Sequence, residues 1–328
     1  MKGRLFIFGA LALLLAGILF MVWDMFLNKP VSSPNPYDYD MKSLRTGDTA
    51  AVIYEELQSF TPAMTAVHGI ALDRNDHIFI CGENRVEEYD PAGNPVKKFD
   101  VNGVAGCIHV DSAGRIYTGF QDHVEIFDHS GKLLKKWKSC GSNAIITSIG
   151  VSGKNVFVAD AGNKVVYQYD DNGTLLRKTG EKDPARNIPG FVIPSPYFDL
   201  GIGLQGELWV VNPGRHSFEQ YNSEGDLVSS WGVASMAMDG FCGCCNPSNF
   251  AILSDGSFVT SEKGIERIKI YSPEGDFNHI VAGPDSFIEG TRGLDIAVNS
   301  KDRILVLDPE KKKVRFFTLK NGSVKQNN

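Results

Sequence analysis

The chain has 328 residues, 42% of them hydrophobic, six cysteines and a formal net charge of −6. It is long enough to bury an ample core. Its acidic balance, without a basic stripe to neutralise phosphates, argues against nucleic acid as a partner.

In chain order, residues 1–4 read as a short cytoplasmic N-terminus and Leu5–Trp23 as a transmembrane helix or signal anchor. That run is 19 residues without a charge, preceded by Lys2 and Arg4. The length suits a bilayer core, and basic residues before it favour a cytoplasmic start. A cleaved secretory signal is the competing reading, but Val22-Trp23-Asp24-Met25-Phe26 offers no small-x-small cleavage site. Residues 24–49 carry Pro30, Pro34 and Pro36 among polar residues and read as an extended tether. The expected location is a membrane anchor with the following domain extracytoplasmic, either periplasmic or extracellular.

Residues 50–320 are periodic. A phrase of an aromatic, a polar residue, two spacers and a glycine recurs as Tyr89-Asp90-Pro91-Ala92-Gly93, Phe127-Asp128-His129-Ser130-Gly131, Tyr169-Asp170-Asp171-Asn172-Gly173, Tyr221-Asn222-Ser223-Glu224-Gly225 and Tyr271-Ser272-Pro273-Glu274-Gly275. A turn-plus-strand marker precedes each copy, starting at Asp76, Gly114, Lys154, Gly206 and Gly256, with a sixth start at Asp302. Its spacings are 38, 40, 52, 50 and 46 residues, and the phrase glycines slip in parallel by 38, 42, 52 and 50. Each unit holds four short β-rich runs bounded by turn residues, which is the pattern of a propeller blade. The expected fold is all-β, a six-bladed propeller of four-stranded blades. The last unit lacks an outer strand, and the spare run Ala51–Leu57 is placed to supply it, since an open blade would expose a sheet edge. A polar tail, 321–328, ends the sequence.

Gly69-Ile70-Ala71-Leu72-Asp73 in the first unit and Val158-Ala159-Asp160-Ala161-Gly162-Asn163-Lys164-Val165 in the third resemble the unit of NHL-repeat propellers. The resemblance covers about residues 50–320. It implies the six-bladed fold and a binding platform or scaffold more often than an enzyme.

In such a ring the turns within blades alternate between two faces. One face has short, stereotyped turns; the other holds the length variation, including 180–196 and 232–247, and is the expected functional face. All six cysteines map to that second face, with Cys242, Cys244 and Cys245 crowded into Phe241-Cys242-Gly243-Cys244-Cys245-Asn246-Pro247 and Cys81, Cys107 and Cys140 elsewhere. Three chemistries fit the crowded loop: disulfides in an oxidising compartment, a thiolate site for zinc or copper, and a redox-active thiol.

Aligning the units places Asp199, Asn249 and Asp295 at the position of Gly69, near the start of the innermost strand of consecutive blades. Oxygen ligands converging there would suit calcium or another hard divalent ion. Gluconolactonase-like propellers hold a metal at that mouth, but the positions of their Asn/Asp-before-Gly pattern are occupied here by Phe198, Ser248 and Leu294. The competing reading is that these side chains cap backbone groups between blades. His68 and His216 lie on the same face without a histidine-rich cluster, and His109 reads as packed within a strand. No serine-hydrolase elbow, phosphate loop or dinucleotide turn is present.

The functional expectation is a membrane-tethered binding or scaffold module whose loop face receives a protein or small-molecule ligand. The alternative is a metal-dependent hydrolase or lyase with its site at the channel mouth.

Overall fold

The repeated phrase is a turn held by its own side chains. Asp128 Oδ1 accepts the backbone N–H groups of Ser130 (2.8 Å) and Lys132 (3.0 Å). Asp90, Asp170 and Asn222 bind their own turns in the same way, and Ser272 uses its hydroxyl. This is why the second position accepts Asp, Asn or Ser and little else. Gly131, like the other phrase glycines, has a positive φ (+88°) that side-chain-bearing residues rarely adopt.

In the computed structural model, which describes residues 2–26, 52–243 and 245–320, these turns join strands into six four-stranded antiparallel sheets. From channel to rim, blade 1 is Val67–Leu72, Ile78–Gly82, Arg85–Tyr89 and Pro95–Asp100. Blades 2 to 5 repeat the order, with inner strands Cys107–Val110, Ile146–Ser152, Leu200–Ile202 and Asn249–Ile252. Blade 6 takes Asp295–Val298, Ile304–Asp308 and Lys313–Leu319 from the end of the chain and its rim strand, Tyr54–Phe60, from the beginning. Tyr54 faces Leu319 and Phe60 faces Val314, antiparallel, with a bulge between Glu56 and Gln58. The expected closure by the N-terminal strand is therefore present, running a few residues further than the run read from sequence.

The aromatic of each phrase has a partner in the preceding blade. Phe60 packs on Tyr89 (centroids 4.5 Å), Phe99 on Phe127 (5.2 Å), Trp137 on Tyr169 (4.9 Å) and Trp231 on Tyr271 (5.4 Å). The same rim aromatics cover the phrase glycines: a Cβ on Gly93, Gly131, Gly173 or Gly275 would come within 2.5–2.6 Å of Phe60, Phe99, Trp137 or Trp231. Blade 3 lacks the rim aromatic, having Thr179 there. The insertion that follows supplies Phe191, which meets Tyr221 edge-on at 5.8 Å. The core accordingly lies in the gaps between blades, where Ile78, Ile116, Val156, Val210, Val259 and Ile304 are fully covered.

The chain divides into two units near residue 43, and the first contains a helix, Lys2–Phe26. Side chains are described there for Phe8, Gly9 and 11–24. Among the described residues no helix is long and apolar enough to cross a membrane. Most of the expected tether, the polar tail 321–328 and Cys244 lie outside the described residues.

Deleting residues 54–60 removes the rim of blade 6 together with Phe60 and the Glu56–Arg315 ion pair (2.6 Å). The melting temperature should fall by about 10 °C or more, from several kcal/mol of lost burial and pairing. An unchanged transition in a calorimetric scan would contradict closure by this strand.

Candidate functional site

The innermost strand of each blade is a sheet edge, so its free N–H and C=O groups face the channel and need partners. Side chains at the start of the preceding inner strand supply some of them. Asp199 Oδ2 accepts Phe250 N–H (2.8 Å) across blades 4 and 5, and its Oδ1 accepts Leu200 N–H (2.9 Å). Asp295 Oδ2 accepts Ile70 N–H (2.8 Å) across blades 6 and 1, while Oδ1 accepts Ile296 N–H (2.9 Å). Asn249 Nδ2 reaches Asp295 Oδ1 from blade 5 (3.4 Å). Thr147 and Ser148 of blade 3 donate to the Phe198 and Leu200 carbonyls (2.6 and 3.3 Å). The three residues expected at the channel mouth thus follow one another around the ring; Asp199 and Asp295 cap backbone between blades, and Asn249 bonds the Asp295 side chain.

The same ring position is Gly69 in blade 1 and Cys107 in blade 2. Across the strand pair, Cys81 faces Gly69 and Gly119 faces Cys107. A Cβ on Gly69 would lie 3.1 Å from Cys81 Sγ, and one on Gly119 would lie 2.4 Å from Cys107 Sγ. Each thiol fills the space its partner glycine leaves, which explains why these two cysteines sit beside the channel.

The channel encloses a cavity of about 860 Å³, whose wall mixes apolar inner-strand residues such as Ile146, Ile149, Leu200, Phe250 and Ile296 with polar groups. A second cavity of about 540 Å³ lies toward the short-turn face, lined in part by Asp73, Asp76 and Asp111. Burial in this wall lifts the Asp199 carboxyl to about 7, helped by the charge of Asp295 and opposed by the Ser148, Phe250 and Leu200 hydrogen bonds. Asp295, partly open to the cavity, is lifted by desolvation to about 6. His109, expected to be packed, is half-buried and lines both cavities; desolvation pushes it down to about 4. His68 is exposed on the mouth, its Nδ1 3.0 Å from the Ala105 carbonyl. His216 has a positive φ (+58°) and a buried Nδ1 that meets no hydrogen-bond partner.

The cysteine-bearing loop, expected on the functional face, is packed down on blade 5. Cys242 and Cys245 are 5% and 2% exposed. Lys269, fully buried, donates to the carbonyls of Gly240 (2.7 Å) and Met238 (3.0 Å) and pairs with Glu262 (2.6 Å). Its ammonium also lies over the Phe241 and Tyr271 rings at 4.8 and 5.0 Å. Arg267 pairs with Glu262 (2.7 Å) and approaches Cys242 Sγ (3.6 Å). Burial and the Glu262 charge push the Cys242 thiol up, against the pull of Arg267 and Lys269. Cys81, Cys107, Cys140 and Cys242 are free thiols, so none of them forms a disulfide. Cys244 lies outside the described residues. Among the described residues no group of three or more His, Cys, Asp or Glu side chains is placed to hold a metal ion.

Sequence reasoning missed the buried charges that hold this loop. Their signal was the residue two before the aromatic of each third strand, which carries a charge or a hydroxyl in every blade: Glu87, Glu125, Tyr167, Glu219, Lys269 and Arg315. Each satisfies its own blade, for example Glu219 with Asn212 (2.8 Å) and Tyr221 (2.6 Å), and Arg315 with Asp308 (3.3 Å).

No known family model matches the chain, and no curated protein is similar to it in sequence. Solved structures are similar in shape. A streptogramin B lyase structure superposes with a TM-score of 0.58 at 13% identity, over 81% of this chain and 98% of that one. Virginiamycin B lyase from Staphylococcus aureus gives 0.57 at 14%, over 81% and 99%. The WD40 β-propeller domain of Doa1 gives 0.54 at 12%, over 78% and 79%. At these identities the likeness shows the propeller fold alone, and the NHL-repeat resemblance rests on the sequence.

Because the Asp199 and Asp295 values are raised above the usual 3.8, their contribution to stability is full below that value and is lost as pH rises through about 6 and about 7. Between pH 5 and pH 8 the pair should therefore make the fold less stable. Thermal melts across that range should show a shallower decline for Asp199→Asn than for the unaltered chain. Parallel slopes would contradict the assignment.

Proposed function

We propose that this chain is a membrane-tethered, extracytoplasmic propeller that acts as a binding or scaffold module, its ligand received at the channel mouth on the loop face. The observation that carries the proposal is the channel cavity. Its roughly 860 Å³ falls within the range of small-molecule sites, and its wall combines apolar side chains with convergent polar groups. Thermal-shift screening of small-molecule fragments should find ligands that raise the melting temperature. Ala251→Trp, which fills the channel from the inner strand of blade 5, should abolish those shifts. Shifts that survive Ala251→Trp would place binding elsewhere and defeat the reading.

A metal-dependent hydrolase or lyase is the second reading. Asp199, lifted to about 7, has the proton affinity of a general acid or base at neutral pH. A calcium ion at Asp199, Asn249 and Asp295 would have to share oxygens that already accept backbone N–H groups. Zinc or copper at Cys242, Cys244 and Cys245 would have Arg267 as a close cationic neighbour of Cys242. A stoichiometric ion in the purified chain, lost on changing either set, would favour this reading over the first.

The anchor rests on Lys2 and Arg4 before the uncharged run Leu5–Trp23. Mass spectrometry of the membrane fraction should recover peptides that join residues 24–35 to that run. A mature N-terminus between Gly17 and Pro30 would show cleavage instead.

A further inference from the structure

We propose that the ligand of the channel is a small organic cation, an ammonium head on an apolar body, with its head against Asp295 and its body along the aliphatic throat. This rests on the reading of the channel as a binding cavity and names the chemistry that cavity selects.

Among the described buried carboxylates, Glu262 pairs with Arg267 and Lys269 and Asp308 with Arg315, while Asp160 and Glu219 are held by neutral donors such as Asn163 and Asn212. Asp199 and Asp295 also lack a cation, and these two line the channel. Among the described residues each receives only hydrogen bonds, from backbone N–H groups and from the neutral side chains of Ser148 and Asn249. Two carboxyls, with Asp295 close enough to raise the proton affinity of Asp199, therefore share the channel wall without a paired countercharge. Such an arrangement is costly when ionised and is relieved by a cation from outside.

The cavity decides which cation. Asp295 keeps part of its surface open to the channel, whereas Asp199 is only 7% exposed, so the first contact falls to Asp295. Beside it, Asn249 Oδ1 has no donor. An ammonium brings only N–H donors, and these groups offer only acceptors. A calcium ion wants six or more oxygens and leaves most of the 860 Å³ unfilled. The remainder of the wall offers apolar side chains alongside polar groups, and the mouth continues them: Val104 and Ile145 are 60% and 39% exposed there. The other charged or titratable groups at this end are Arg292 and His68, both exposed at the mouth, Tyr197 with Lys263 over its ring, His109 in the lining, and the buried thiols of Cys81 and Cys107.

The test is calorimetry on the full chain in detergent at pH 7.5, with 2-phenylethylammonium and its neutral isostere 2-phenylethanol as probes. The ammonium should bind about tenfold tighter or more, as expected for a charge-assisted hydrogen bond. Asp295→Asn should erase the preference and leave the alcohol's affinity in place. Because Asp295 also caps blade 1, Asn249→Ala is the second variant: it spares both carboxylates and should weaken the ammonium severalfold. Equal affinities for the two probes, with alcohol binding blocked by Ala251→Trp, would overturn the cation inference while leaving the cavity reading intact. Absence of binding by either probe would overturn both. Calcium or zinc that binds stoichiometrically and excludes the ammonium would overturn the inference in favour of a metal at the same carboxylates.

Discussion

Everything in this ring depends on how one blade grips the next, and the grip is an aromatic side chain laid over a glycine turn. Phe60, Phe99, Trp137 and Trp231 each leave the rim of one blade, cover a glycine of the following blade and meet the aromatic just before it. The glycine is constrained twice, by its positive φ and by the ring on top of it. Such contacts bury large apolar area at a fixed geometry, so they set blade spacing as well as stability. The N-terminal strand belongs to this system because Phe60 covers Gly93 just as Phe99 covers Gly131.

A second constraint acts at the centre. Six inner edges meet at the channel, and unpaired backbone groups there are costly wherever water is scarce. The chain meets the need with Asp199, Asp295, Thr147 and Ser148, each reaching across to the next blade. Two of these solutions bring carboxyl groups into an apolar wall. The raised proton affinity of Asp199 and Asp295 is thus a consequence of ring construction before it is a property of a site. The proposed function builds on that by-product: a fold that must place acceptors in its throat can hold a donor there.

The sequence showed the architecture well because the architecture is periodic and its markers are chemical necessities. An Asp or Asn that folds its own turn and a glycine beneath an aromatic leave the same trace in successive units. The missing rim strand of blade 6 was legible for the same reason, as a gap in a count. The ring position of Asp199, Asn249 and Asp295 followed from alignment alone, and so did the capping role weighed against metal binding. The state of the cysteine loop was not legible. Its outcome depends on Glu262, Arg267 and Lys269, which lie on strands 20 or more residues away from Cys242 and read locally as ordinary polar positions. Burial of Cys242 by that trio is a tertiary fact, and cysteine spacing carries no signal for it. Likewise Phe191, which stands in for a rim aromatic of blade 3, sits in an insertion that sequence reading could only describe as variable.

The central claim is that the closing strand is equivalent to any internal rim strand. It is tested most directly by comparing Phe60→Ala with Phe99→Ala in thermal or denaturant unfolding of the full chain. Both side chains are half-buried and both cover a phrase glycine. The account predicts losses of similar size, about 2–3 kcal/mol each. A clear loss for Phe99→Ala with none for Phe60→Ala would show that the ring holds together without its N-terminal strand, and would contradict the account.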